Sequence, residues 1–377
     1  MKEGHDWLKY RLKIHNRFYL WANLINPFET RTFCCIFADK IYLMILRQFS
    51  SNQPYVLFLL PVVNLLVFIP ALFGITAPVE PMRFPFDLMN YQLVENLWLS
   101  CALAWVFISG GATLFNWVYN RHEFHSGPTF VPALVYSMVF TGIYLTNYNL
   151  TFLIAQLFFV VGSNRLLEVF RQKTALDPYF RAGFWFGLSA LLFPPYLLLL
   201  PTLMVSVLFT RGVNLREYIV PIVGFLFPFA YVWSMQYIVK GNWEFYLFYR
   251  QFSLNIPKFW EIHEYSLLVF FGLNILAMMS SWRSLLFSGD RSTNKNRNSK
   301  FIVFFLNLSA SASLLLFVVM FRDMPLETFG MAMIYALSYY YTNYRTSLLA
   351  PVYFYLTMIS AFYLLVESTG LIPVFKW

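Results

Sequence analysis

Along residues 54–366 one pattern repeats: an apolar, aromatic-rich run of roughly membrane-spanning length, followed by a short polar gap that collects the charges. A helix that crosses a bilayer needs about 20 mostly apolar residues, because every backbone polar group must be paired inside the hydrocarbon. Runs of this kind cover residues 54–75, 96–118, 128–146, 150–161, 218–239, 265–281, 301–321, 329–341 and 347–366. The shorter ones must be tilted or extended at their ends to cross. Residues 181–211 form an apolar stretch too long for one span, and Pro194-Pro195 interrupts it. Proline lacks the amide donor and its ring clashes with the preceding turn, so this stretch predicts two short helices turning at the proline pair. The expected fold is therefore all-α, a polytopic membrane protein of about eleven transmembrane helices. It comprises an N-terminal cytoplasmic segment, residues 1–53, and a transmembrane domain, residues 54–377.

Composition agrees with lipid as the solvent. Hydrophobic residues make up 59% of the chain, charged residues 12%, and mean hydropathy is +0.57; soluble domains carry about 25% charged residues. The 21% aromatic content suits helices that place Tyr and Trp at both interfaces. Cys34 and Cys35 are adjacent and Cys101 lies in a predicted span, a set that forms neither a disulfide framework nor a zinc motif.

The net charge of +9 could suggest nucleic acid, but its distribution gives another explanation. With the N-terminus inside, 21 of the 27 Lys and Arg residues fall on the cytoplasmic side. That bias is the positive-inside signature of a multi-pass protein of the inner membrane, and it leaves attraction to anionic lipid heads as a secondary effect. No nucleic-acid partner is expected. Residues 1–43 are basic and lack a signal-peptide core. They are either a cytoplasmic arm or a stretch upstream of a translation start at Met44, and no function is assigned to them.

Ionisable residues at mid-membrane are costly and usually functional, and none lies at the centre of a predicted span. The mid-span polar residues are Asn64, Asn116, Gln156, Gln236, Asn274 and Asn307, for which helix-to-helix hydrogen bonding is the expected role. A proton-driven transporter should show a carboxylate or histidine at that depth. His122 and His125 have a spacing of three, which can put two imidazoles on one helical face, but zinc would need further ligands and none stands nearby. No metal site is expected.

The outer loops are richer in candidate chemistry. The first carries Glu80, Arg83, Asp87 and Glu95, its start stiffened by Pro78, Pro81 and Pro85. The second holds Trp243, Glu244, Tyr249, Arg250, Lys258, Trp260, Glu261 and His263, and the third begins at Arg322. Acids and bases interleaved with aromatics suit an anionic lipid headgroup that bears a sugar. Arg and Lys can bind phosphate, a carboxylate such as Asp87 or Glu80 can act as base or hold a divalent metal, and Trp243, Tyr249 and Glu244 can receive a sugar or acceptor. The plainer alternative is an interfacial aromatic belt with ordinary loop charges.

Several segments together resemble a known architecture. They are the acidic first outer loop, the short helix pair from Arg181-Ala-Gly-Phe-Trp-Phe-Gly-Leu to Phe-Pro-Pro-Tyr, the turn Arg211-Gly-Val-Asn-Leu-Arg-Glu, and Gly241-Asn-Trp-Glu-Phe-Tyr. Over residues 44–264 the chain resembles a family of polytopic bacterial inner-membrane proteins without an assigned activity. More distantly it resembles the GT-C class of glycosyltransferases, which use polyprenyl-phosphate sugars. The GT-C resemblance implies Asp87 as base or metal ligand, Arg83 as a phosphate neighbour, and Arg250, Lys258 or Arg322 as further phosphate partners. It also implies a polyprenyl-phosphate lipid as partner and allows a divalent metal as cofactor. This chain departs from the pattern by having no adjacent acidic pair in the first outer loop and no large soluble outer domain, so the resemblance also allows a catalytically silent relative of that fold.

Three functions follow as expectations. The leading one is a non-catalytic integral-membrane subunit of a cell-envelope assembly, packing against membrane-protein partners. The second is a glycosyltransferase using a polyprenyl-phosphate-linked sugar at the outer face. The third is a transporter of a lipid or small solute.

Overall fold

The computed structural model describes residues 49, 53, 55–72, 97–125, 127–147, 150–169, 175–211, 215–240, 299–308 and 327–343, with shorter helical stretches inside 272–282 and 352–359. Every regular element among them is helical. In chain order these are α1 (Tyr55–Leu72), α2 (Leu97–Arg121), α3 (Val131–Asn147), α4 (Leu150–Glu168), α5 (Leu176–Leu192), a 3-10 turn (Pro194–Leu198), α6 (Leu199–Arg211), α7 (Leu215–Lys240) and α8 (Glu327–Asn343). Three helical segments, Trp98–Arg121, Leu150–Glu168 and Leu215–Met235, are long and apolar enough to cross a membrane. The described structure thus has the all-helical character of a membrane-compatible bundle.

The helices follow the apolar runs but extend beyond them. The run ending near Val161 continues as α4 to Glu168, and α2 reaches Arg121. A helix leaves its last carbonyls unpaired and its C-terminal end partially negative, so basic residues there are favourable. Arg121 and Arg165 occupy those last turns.

The break at Pro194-Pro195 is present. Phe193, the residue before the pair, is forced into an extended conformation (φ −133°, ψ 95°), and its amide still closes α5 on the Ser189 carbonyl at 2.9 Å. A 3-10 turn intervenes before α6, so the expected direct turn between two helices is instead a helix, a tight turn and a second helix.

Contacts between helices define their relative directions. Gly162 and Ala155 of α4 meet Phe186 and Ser189 of α5, an antiparallel pairing. Gly183 and Gly187 of α5 meet Pro221 and Phe225 of α7 in the same order, a parallel one. Phe115 and Tyr119 of α2 meet Tyr335 and Thr342 of α8, again in parallel.

In lipid, helices gain little from hydrophobic burial against each other and associate through close packing and hydrogen bonds. Both devices are present. At the α5–α7 crossing a Cβ on Gly183 would collide with the Pro221 carbonyl oxygen, one on Gly187 with the Phe225 carbonyl oxygen, and one on Gly224 with the Phe180 carbonyl oxygen. The two backbones therefore touch. Pro221, inside α7, faces this seam and is itself buried.

Elsewhere aromatic rings fill the interior. Tyr136, Phe140, Phe152, Phe193 and Tyr196 form a chain with successive centroids 4.4 to 5.6 Å apart. Phe159 joins this chain through Tyr196 at 5.9 Å and stacks on Phe186 at 5.8 Å. Tyr335 of α8 meets Phe115 edge-on at 4.9 Å.

Mid-bundle polar residues serve mainly as joints between helices. The Asn64 amide donates to Ser137 Oγ (3.2 Å) and Ser109 Oγ (3.4 Å), tying α1 to α3 and α2. Tyr196 donates its hydroxyl to Gln156 Oε1 at 2.6 Å, and Ser189 donates to the Ala155 carbonyl at 2.7 Å. Ser163 donates to the Val160 carbonyl (2.8 Å), so the Tyr335 hydroxyl donates to Ser163 (2.6 Å). The expected helix-linking role holds for Asn64 and for the Gln156 carbonyl oxygen. The Asn116 Oδ1 atom and the Gln156 Nε2 atom are buried and make no protein hydrogen bond.

Gly187→Ala should lower stability by about 1–3 kcal/mol, because its methyl meets a backbone carbonyl that cannot rotate away. Gly110→Ala, with nothing within 4 Å of the new Cβ, should be neutral or gain up to about 1 kcal/mol from helix propensity. Thermal unfolding of both purified variants in one detergent checks the contrast.

Candidate functional site: a charged clasp at one end of the bundle

The residues that sequence reasoning favoured, Glu80, Arg83, Asp87, Trp243, Glu244, Tyr249, Arg250, Lys258 and Arg322, all lie outside the described residues. The densest charged cluster among the described residues lies where α2, α4 and α8 terminate together.

Its centre is Glu168, the last residue of α4. A carboxylate at a helix C-terminus faces the negative end of the dipole, and this side chain is only 8% exposed. Neighbouring cations offset both costs. Arg121 Nη2 lies 2.9 Å from Oε1 and Arg165 Nη1 lies 2.9 Å from Oε2. Asn164 Nδ2 also donates to Oε1, at 3.3 Å. The two arginines are 36% and 35% exposed, so they stand between the buried carboxylate and the outside. Arg121 further lies over the Trp117 ring, 4.7 Å from its centroid.

The network fixes the state of one histidine. Since the Asn164 amide nitrogen faces a carboxylate, its oxygen faces His122, and His122 Nε2 at 2.9 Å must be the donor. His122 is buried, with 1% of its surface exposed.

The turn after α2 belongs to the same cluster. The helix stops at Arg121, and Glu123 takes a left-handed conformation with φ 56°, an unusual choice for a residue with a Cβ. Asn120 pins the far side of the turn by a reciprocal pair with Thr129, Nδ2 to carbonyl at 2.9 Å and amide to Oδ1 at 3.1 Å. From α8, the Asn343 amide donates to the Phe124 carbonyl at 3.3 Å, which leaves its oxygen to accept from His125 Nδ1 at 3.3 Å. His122 and His125 therefore do not share a helical face. The helix ends before both of them, and each ring is committed to a different helix, His122 to Asn164 of α4 and His125 to Asn343 of α8. Among the described residues no group of three or more His, Cys, Asp and Glu side chains is placed to hold a metal ion.

The apolar run that ends at Val161 leaves Arg165, one of the 21 cytoplasmic basic residues, beyond the expected span, and Glu168 carried no expectation. The available signal was the spacing Asn164-Arg165-Leu-Leu-Glu168, which puts amide, guanidinium and carboxylate on one turn of any helix that continues. The Arg121 contribution is tertiary and has no local signature. No family model matches the chain, and neither the curated proteins nor the solved structures contain a match to it.

The asymmetry of exposure sets the sign of substitutions. Arg121→Ala combined with Arg165→Ala leaves a buried carboxylate without cations and should cost about 3–5 kcal/mol, whereas Glu168→Leu leaves two arginines that can reach water and should cost less than half of that. Unfolding midpoints of the two variants, measured side by side, test the order.

Proposed function

We propose that this chain is a non-catalytic integral-membrane subunit of a bacterial cell-envelope assembly, a multi-pass protein of the inner membrane with about eleven spans and its N-terminus in the cytoplasm. The observation that carries this reading is the division of labour among helix faces. Interior polar groups such as Asn64, Ser163 and Ser189 are used in joining one helix to the next. The long helix α7, by contrast, holds α5 by its glycine seam and turns Ile219, Val223, Leu226 and Tyr231 outward. A tightly packed interior with a broad apolar exterior suits a protein whose product is contact within the bilayer. The resemblance to bacterial inner-membrane proteins supports the same setting, and its distant GT-C component fits a scaffold that keeps the helix order of such enzymes without their chemistry.

Purification of the full chain in mild detergent should recover stoichiometric membrane-protein partners; consistent recovery of an isolated monomer with full cellular function would overturn the subunit reading. On this reading Asp87→Asn leaves function intact at normal membrane levels. Abolished function would instead place chemistry in the first outer loop.

Orientation has its own test. In a cysteine-free background, a cysteine at Glu123 should resist a membrane-impermeant thiol reagent in intact cells and one at Lys240 should react. The reverse pattern would invert the assignment.

A further inference from the structure

Two guanidiniums share one buried carboxylate, and the geometry of the clasp sets which way they face. Glu168 is the inner partner, accepting from Arg121, Asn164 and Arg165, and the arginines are the outer ones. Anchoring on a carboxylate and, for Arg121, stacking on an indole hold the guanidiniums in place and lower the entropy cost of ordering them; Arg165 Nε is buried, so the outward donors of that residue are on its Nη atoms. Trp117 is 49% exposed and lies one turn before Arg121 on α2. Arg121 therefore reaches from the outward surface of the bundle, beside Trp117, to the buried carboxylate.

Depth points the same way. Arg121 and Glu168 end two of the helices that are long enough to cross a membrane. Tryptophan near a span end sits at the level of lipid headgroups, and a fixed arginine pair at that level faces the phosphate layer. Planar forks match phosphate oxygens.

We infer that Arg121 and Arg165 form a binding site for the phosphate of an anionic lipid headgroup, with Trp117 against the glycerol region of the same lipid. This rests on the membrane reading above and goes beyond it. Glu168 acts as the positioning residue: it orients both guanidiniums and tempers their charge.

The test uses the full chain reconstituted into vesicles and then extracted with an equal mixture of phosphatidylglycerol and phosphatidylcholine, with retained lipid counted by native mass spectrometry. Wild type should favour phosphatidylglycerol, and Arg121→Gln or Arg165→Gln should each reduce that preference by about fivefold. Trp117→Ala should lower total lipid retention. Glu168→Gln, which removes the opposing charge, should raise the preference, whereas a purely structural clasp would lower or abolish it.

Unchanged preference in folded Arg121→Gln and Arg165→Gln proteins, or a decrease in Glu168→Gln, overturns the site. Should an Arg→Gln variant not fold, Arg121→Lys decides. It keeps the charge but loses fork and stack, so an intermediate preference supports the site and an unchanged one overturns it. Inorganic phosphate is the competitor: displacement of lipid at equal concentration would make this a free-phosphate site and overturn the lipid assignment. Vesicle flotation separates the two levels, since failure to float sinks the membrane reading itself.

Discussion

The architecture depends on the direct backbone contact between α5 and α7. Within a solvent as apolar as their own side chains, two helices gain by approaching closely enough for dispersion and weak polar contacts to add up. Gly183, Gly187 and Gly224 permit that approach, and no other residue type could stand there without moving a carbonyl. α5 is thereby fixed to α7 on one side while its other face meets α4 through Phe186 and Ser189. The aromatic chain through Phe159, Tyr196 and Phe193 then inherits its geometry from how α5 ends.

The interior and the bundle end obey different rules. Rings and single hydroxyls dominate the interior, where leaving a polar group unpaired is costly, and most joints there run between neighbouring helices while Asn116 Oδ1 and Gln156 Nε2 stay without a protein partner. At the end where α2, α4 and α8 stop, full charges are tolerated because the arginines can reach outward while Glu168 stays inside. The left-handed Glu123 and the Asn120–Thr129 pair fold the following turn back over the same cluster. Charge, turn and helix ends thus form one unit, to which α8 is attached through Asn343 and Thr342.

Much of the helical plan was legible in the sequence, since apolar runs of this length have few alternatives. The Pro194-Pro195 break was legible too, because it follows from ring geometry alone. Helix ends were not: hydropathy stops at Val161 while the helix runs on to Glu168, stabilised by side chains that a hydropathy window scores as loop. The element Gly183-Phe-Trp-Phe-Gly187 was visible as part of a resemblance, although its physical content, a small-xxx-small seam, becomes apparent only when α7 lies against it. The clasp was hidden for a related reason, as Arg121 and Glu168 meet only in three dimensions.

The parallel course of α5 and α7 also constrains the chain between them. Two adjacent helices pointing the same way oblige the connecting segment to travel back along the length of the first. That return is made by the 3-10 turn and α6, 5 and 13 residues long. A 3-10 turn rises about 2.0 Å per residue and an α-helix about 1.5 Å, so laid end to end the two cover about 30 Å, the thickness of a hydrocarbon core. The proline pair therefore does more than stop a helix. By drawing its following turn into the steeper winding, it lets a return leg of modest length run back past α5, so that α7 can begin level with the start of α5 and lie parallel to it.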